Sequence, residues 1–137
     1  MSNFFNLPEV LRSLVTDPST ANDPIKRMFL TDGQFTTTNV GIVTDTGNML
    51  HTQPEHDEIV VVFEGEADFR VGDEIQHARA GDLIFIPRNT LHGPIIPEGG
   101  KFAGLSIYAP FFDRSKKNIV WDKDKEGGLI NFDEQNH

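Results

Sequence analysis

The stretch from Glu58 to Pro87, EIVVVFEGEADFRVGDEIQHARAGDLIFIP, narrows the fold more than any other part of the chain. Apolar and polar residues alternate along it, and glycine pairs interrupt it at Glu64-Gly65, Gly72-Asp73 and Gly81-Asp82. Alternation with period two is the mark of a half-buried strand, and glycine supplies the backbone freedom of a tight turn. The stretch therefore predicts three strands. Two further runs, QFTTTNVGIVT ending at Thr44 and KFAGLSIYAP ending at Pro110, read the same way. Short strands at this spacing build an all-β sandwich or barrel. Ahead of them, Leu7, Val10, Leu11, Leu14 and Val15 recur at helical spacing, with Asn6 as cap and Pro8 in the first turn. They predict a short N-terminal helix over 7–16 packed on the body. The 137 residues suit one domain, 1–137, with its β core over roughly 35–110. Residues 111–137 form a tail, disordered or strapped onto the body or a partner, with an apolar patch at Leu129, Ile130 and Phe132.

Composition removes several function classes. Net charge is −9, from 21 acidic against 12 basic side chains, a sign that opposes phosphate backbones, so no nucleic-acid partner is expected. There is no cysteine, which excludes thiol catalysis, disulfides and cysteine zinc sites. No apolar stretch approaches the ~18 residues of a membrane span, and MSNFFNLPEVLRSLV lacks the pattern of a signal peptide. A cytoplasmic protein is the expectation.

The chemistry gathers at HTQPEHDE, residues 51–58, immediately before IVVVF. Residues two apart on a strand share a face, so His51 and Gln53 point the same way, and Glu58 shares a face with Val60 and Val62. A carboxylate leading into an apolar run on the inward face is costly unless paired or metal-bound. His92 follows GDLIFIPRNTLH, a strand and a turn. If the turns bring these strands together, His51, Gln53, Glu58 and His92 converge inside the barrel. Two imidazoles and a carboxylate suit a divalent transition metal: iron, manganese, nickel or zinc.

At these residues the sequence resembles the cupin superfamily, and in size a small single-domain cupin. His51, Glu58 and Gly65 fit the first cupin motif; Gly81, Pro87 and His92 fit the second, with fifteen residues between Gly65 and Gly81. The likeness covers roughly residues 37–109. It departs at Gln53, where a second histidine is usual, at Asp45, with Gly47 close by, at Asn89 in place of a turn glycine, and at Ile96 in place of a closing asparagine. The resemblance implies a cupin-type β-barrel or jelly roll and a metal-dependent enzyme acting on a small organic molecule. The ligand set points first to an oxygenase-type reaction. A lyase, dehydratase or isomerase, or a non-catalytic binding cupin for a sugar or metabolite, are the alternatives. His51, Gln53, Glu58 and His92 are the implied ligands, with Gln53 a weaker neutral donor than imidazole. Glu58 and Tyr108 are the candidate catalytic groups.

Other polar residues have plainer readings. His56 and Asp57 are expected to be solvated in a turn, with His56 weighed as a substitute ligand. His77 is expected on the outer face, and Arg70, next to an inward Phe69, toward solvent or a partner. Gly65, Gly72 and Gly81 are turn glycines whose spacing fits no phosphate loop. An apolar outer face at Ile59, Val61 and Phe63 predicts a homodimer.

Overall fold

A computed structural model of the chain describes residues 2–44 and 50–122, with the backbone of 129–130. The chain is mostly β, a curled antiparallel sheet with one short N-terminal helix. The helix α1 spans Leu7–Thr16. The Asn6 side chain accepts a hydrogen bond from Glu9 N at 3.0 Å, satisfying an amide that the first turn leaves open. Leu11 and Leu14 are buried beneath it, and Leu11 packs with Ile42, Ala103 and Phe63 on the outer face of the sheet.

Among the described residues ten strands follow: β1 Ile25–Asp32, β2 Thr37–Thr44, β3 His51–Thr52, β4 Asp57–Val71, β5 Glu74–Arg79, β6 Leu83–Ile86, β7 His92–Ile95, β8 Lys101–Ala109, β9 Ile119–Trp121 and β10 Leu129–Ile130. Their order is β1-β2-β8-β4-β7-β3-β9-β10, with β5 and β6 both paired to β4. The stretch that opened the sequence reading does hold three strands, but Glu64-Gly65 is not a turn. β4 runs through it with a register shift between Val62 and Glu64. The bulge inserts one residue, so the inward side changes from Glu58, Val60 and Val62 to Ala67 and Phe69, and the strand bends from one sheet into the other. Gly65 is required there. Its φ is +80°, and a Cβ would fall 2.2 Å from the Lys101 carbonyl oxygen.

Strand β1 was not visible in the sequence. Lys26 and Arg27 obscure its alternation, although it pairs with β2 from Ile25↔Val43 to Asp32↔Thr37. Beyond β9, residues 129–130 pair with Val120 and Ile119, so that part of the tail straps onto the sheet. Asp45, Gly47 and Phe132 lie outside the described residues. On the outer face Ile59 pairs with Phe85 and Val61 with Leu83. Phe85 and Leu83 are exposed, while Ile59, Val61 and Phe63 are half-buried. Among the described residues, no helix is long and apolar enough to cross a membrane.

Candidate metal centre

Three short strands carry one wall of the barrel cavity. His51 on β3 pairs directly with His92 on β7 and with Trp121 on β9, so the three side chains lie on one face. The imidazole of His51 sits between them, 4.3 Å from the His92 ring and 4.9 Å from the Trp121 ring, centroid to centroid. Loop contacts hold these strands in place. Asn89 N donates to the Gln53 carbonyl at 2.8 Å, and Arg88 N donates to Asp57 Oδ1 at 2.9 Å. Asn89 adopts φ +61°, a left-handed conformation that asparagine tolerates better than most residues.

His92 Nδ1 lies 2.8 Å from the Thr90 carbonyl oxygen, which can only accept, so Nδ1 carries a proton and Nε2 is the nitrogen left to face the centre. His92 Nε2 is 3.2 Å from Glu58 Oε1, an ion pair whenever the imidazole is protonated. Both side chains are buried. A carboxylate oxygen and an imidazole nitrogen that close, away from water, share either a proton or a bound cation. The donor atoms of His51, Glu58 and His92 lie within 4.8 Å of one another. Three donors so placed can hold one metal ion at the ~2.1 Å typical of nitrogen and oxygen ligands. Burial, the largest influence on Glu58, works to raise its pKa. His92, His51 and Ser106 overcome it and hold the carboxyl below the ordinary range.

Gln53 faces the same centre. Its Nε2 donates to Glu58 Oε1 at 3.3 Å, while its Oε1 is buried with no hydrogen-bond partner among the described residues. The amide thus restrains the carboxylate with one end and offers an oxygen with the other.

The opposite wall comes from long strands. Register sets Tyr108 on β8 beside both Glu58 and Thr37, and Ser106 beside both Val60 and Asn39. Asn39 Nδ2 donates to the Tyr108 hydroxyl at 3.4 Å, and both residues are buried. Burial, reinforced by the Glu58 anion, pushes the Tyr108 phenol well above its usual pKa, so it stays neutral. Arg27 on β1 lines this wall beside Gly41. Burial draws its pKa down against Tyr108 and Glu58, yet a guanidinium remains charged at any physiological pH. The cavity has a volume of ≈ 80 Å³, well under the ~300 Å³ of pockets for drug-sized ligands.

The structure brings His51, Gln53, Glu58, His92 and Tyr108 together. It corrects His56, which is not solvated: it is 4% exposed, with Nε2 3.2 Å from the Phe111 carbonyl and its ring stacked on Phe112 at 4.5 Å. Burial holds its pKa below that of free imidazole, against the Phe111 carbonyl and the charges of Glu55 and Glu58. Asp57 is exposed, bound to the 88–89 loop as above. His77 is also exposed, with Nδ1 3.0 Å from Asp68. Arg70 is half-buried and donates to the Gly72 carbonyl. Arg27, Asn39 and Ser106 escaped the sequence reading. The signal was present for Arg27, which alternates with Ile25 and Phe29 and so shares their inward face.

Residues 29–108 match the family model described as "Cupin domain". Among curated proteins, none matches the chain. Several solved structures share its fold. An uncharacterised protein with a double-stranded β-helix domain from Klebsiella pneumoniae is 23% identical, with 81% of this chain and 92% of that one covered and a TM-score of 0.63. A nucleoside dehydratase is 18% identical, with coverage of 80% and 82% and a TM-score of 0.61. KdgF from a Halomonas species is 19% identical, with coverage of 68% and 84% and a TM-score of 0.60.

Proposed function

The chain belongs to the cupin family, and we propose that it is a metal-dependent enzyme that moves protons on a small organic substrate, in a lyase, dehydratase or isomerase reaction. The observation that carries this reading is the meeting of two unlike walls across one small cavity: His51 and His92 on one side, Glu58 with a neutral buried phenol and a guanidinium on the other. His51, Glu58 and His92 would hold one divalent ion, with Gln53 Oε1 as a weak further donor. The bound ion supplies Lewis-acid polarisation of a substrate oxygen. Tyr108, kept protonated, is suited to hydrogen-bond or protonate a leaving or developing oxygen. Asn39 orients that hydroxyl by donating to it, and Gln53 restrains Glu58. The dry wall of Val60, Phe69 and Phe102 excludes water from the reacting atoms. The solved nucleoside dehydratase has the same fold, which makes a dehydration compatible with the barrel but does not specify it.

A second reading keeps the oxygenase expectation, because two histidines and one carboxylate are the donor set of non-haem iron oxygenases. One experiment separates the two. The protein is analysed for metal after gentle purification, then incubated under nitrogen with small hydroxy acids and sugars, and loss of water is followed by mass spectrometry. About one metal per chain and anaerobic turnover are expected. Turnover that requires oxygen would transfer the assignment to the oxygenase reading. A metal-free protein in which added zinc, iron or manganese does not bind would end both.

A further inference from the structure

We propose that Arg27 makes this cavity selective for a small carboxylate, which lies with its carboxylate against the guanidinium and its reacting oxygen toward His51, Glu58 and His92. The inference rests on the reading of the cavity as a substrate site, and it names the substrate class.

The first support is position. On the inward face of the sheet, rows of residues cross the strands. Tyr108 stands between Thr37 and Glu58, and Ser106 between Asn39 and Val60. The next row is Arg27, Gly41, Gly104 and Val62. Its middle consists of two glycines, so the sheet has no side chains there and the arginine has space to cross. A Cβ on Gly41 would meet Arg27 Cγ at 3.7 Å, which places the arginine stem directly over that glycine. The stem thus lies along the floor, and the guanidinium shares a cavity with Glu58, Tyr108, His51 and His92.

Charge is the second support. Among the described lining residues, Arg27 and Glu58 are the charged pair, and they balance. A divalent ion at the three ligands leaves an excess of two positive charges among buried side chains. Buried charge is tolerated when it is paired, so the loaded cavity favours an anion. The whole chain repels anions, at net charge −9, which makes this local reversal of sign informative. The third support is shape and size. The guanidinium fork matches the two oxygens of a carboxylate, whereas a point charge would not distinguish it from other anions. A volume of ≈ 80 Å³ admits a few heavy atoms.

The test uses the full chain, loaded with zinc and also metal-free. Acetate, lactate, malonate and malate are each titrated by calorimetry beside the matching neutral amide, with inorganic phosphate as a further arm. At least one carboxylate should bind the zinc form about tenfold or more tighter than its amide, as expected for a charge-assisted hydrogen bond. Arg27→Gln should erase that preference while zinc content stays the same. Arg27→Lys, which keeps the charge and loses the fork, should fall between and serves if Arg27→Gln does not fold. No carboxylate preference in the native protein, its persistence in Arg27→Gln, or tighter binding of phosphate would overturn the proposal. Failure of the metal reading shows separately: zinc would not bind, while carboxylate preference in the metal-free protein would still depend on Arg27.

Discussion

The wall that carries His51, Gln53 and His92 and the wall that carries Arg27, Asn39 and Tyr108 face one cavity, yet they are held by different means. The first is built on β3, two residues long, and β7, four residues long. Strands that short have little ladder of their own, so side chains and loops position the ligands: Thr90 fixes the His92 tautomer, Asn89 fastens the end of β3, and Gln53 restrains Glu58. The second wall stands on β1, β2 and β8, eight, eight and nine residues long and paired along their length. There the backbone register alone decides which side chains point inward. A site whose ligands depend on their neighbours should lose binding when one is changed. A site set by register should keep its metal and lose something else.

The largest expected effect tests that difference directly. His92→Ala removes one of three strong donors and leaves the buried Glu58 with one partner fewer. Metal affinity should fall by more than about 100-fold, since even supporting residues around a metal cost 10- to 100-fold. Tyr108→Phe, on the other wall, should leave affinity within a few-fold. It should cost about 1–3 kcal/mol of stability, because Asn39 Nδ2 loses its buried acceptor. Competitive chelator titration and denaturant unfolding of both variants make the comparison. A large loss of metal from Tyr108→Phe would mean that the two walls act as one unit.

The same difference governed what could be read from the sequence. His51, Glu58 and His92 were legible because each stands within a few positions of a glycine or proline that punctuates the chain. The two-residue strand β3 was not legible, since it carries too few residues for a period. The reverse holds for the long strands. β2 announced itself by its β-branched run and β8 by an apolar run stopped at Pro110, whereas β1 did not, because Lys26 and Arg27 sit near its start. Arg27 could be placed in the same cavity as Glu58 only through three successive strand registers, and register is not local information. His56 was misjudged for a related reason. Its partners, Phe111 and Phe112, lie more than fifty residues away, where the chain folds back under the turn. Glu64-Gly65 looked like a turn because bulges and turns both require a glycine with positive φ.

A smaller effect is expected at Gln53, where this chain departs most from the family's usual ligands. Gln53→His should raise metal affinity about tenfold, because imidazole is the better donor for first-row divalent ions. It should also remove the Nε2 donor from Glu58 and occupy a position that substrate would otherwise reach, so turnover should fall while binding improves. Metal titration after chelator treatment, followed by turnover on whichever substrate emerges, reads both. Equal affinities in the two proteins would place residue 53 outside the reach of the ion and confine it to holding Glu58.

The smallest effect concerns the glycine floor of the register-built wall, and it asks whether that floor is open by necessity or only by composition. Gly41 and Gly104 are direct partners on adjacent strands, yet their surroundings differ. A Cβ on Gly104 would lie 3.0 Å from both Val60 Cγ1 and the Val61 carbonyl oxygen. The first can rotate away, but the second is backbone of the central strand and cannot. Gly104→Ala should therefore cost about 1–3 kcal/mol through overpacking. A Cβ on Gly41 would meet the Lys26 carbonyl at 3.6 Å, Arg27 Cγ at 3.7 Å and Asn39 Oδ1 at 3.8 Å, all ordinary contacts. Alanine also suits a strand better than glycine does, by roughly 0.5–1 kcal/mol. Gly41→Ala should thus be neutral or slightly stabilising in denaturant unfolding, while its methyl group fills space beneath the Arg27 stem. If both variants lose the same stability, the floor is uniformly tight and the room assigned to Arg27 is not there. If only Gly104→Ala is destabilised, the space over Gly41 is real, and carboxylate binding in Gly41→Ala becomes a direct measure of how much of it the arginine uses.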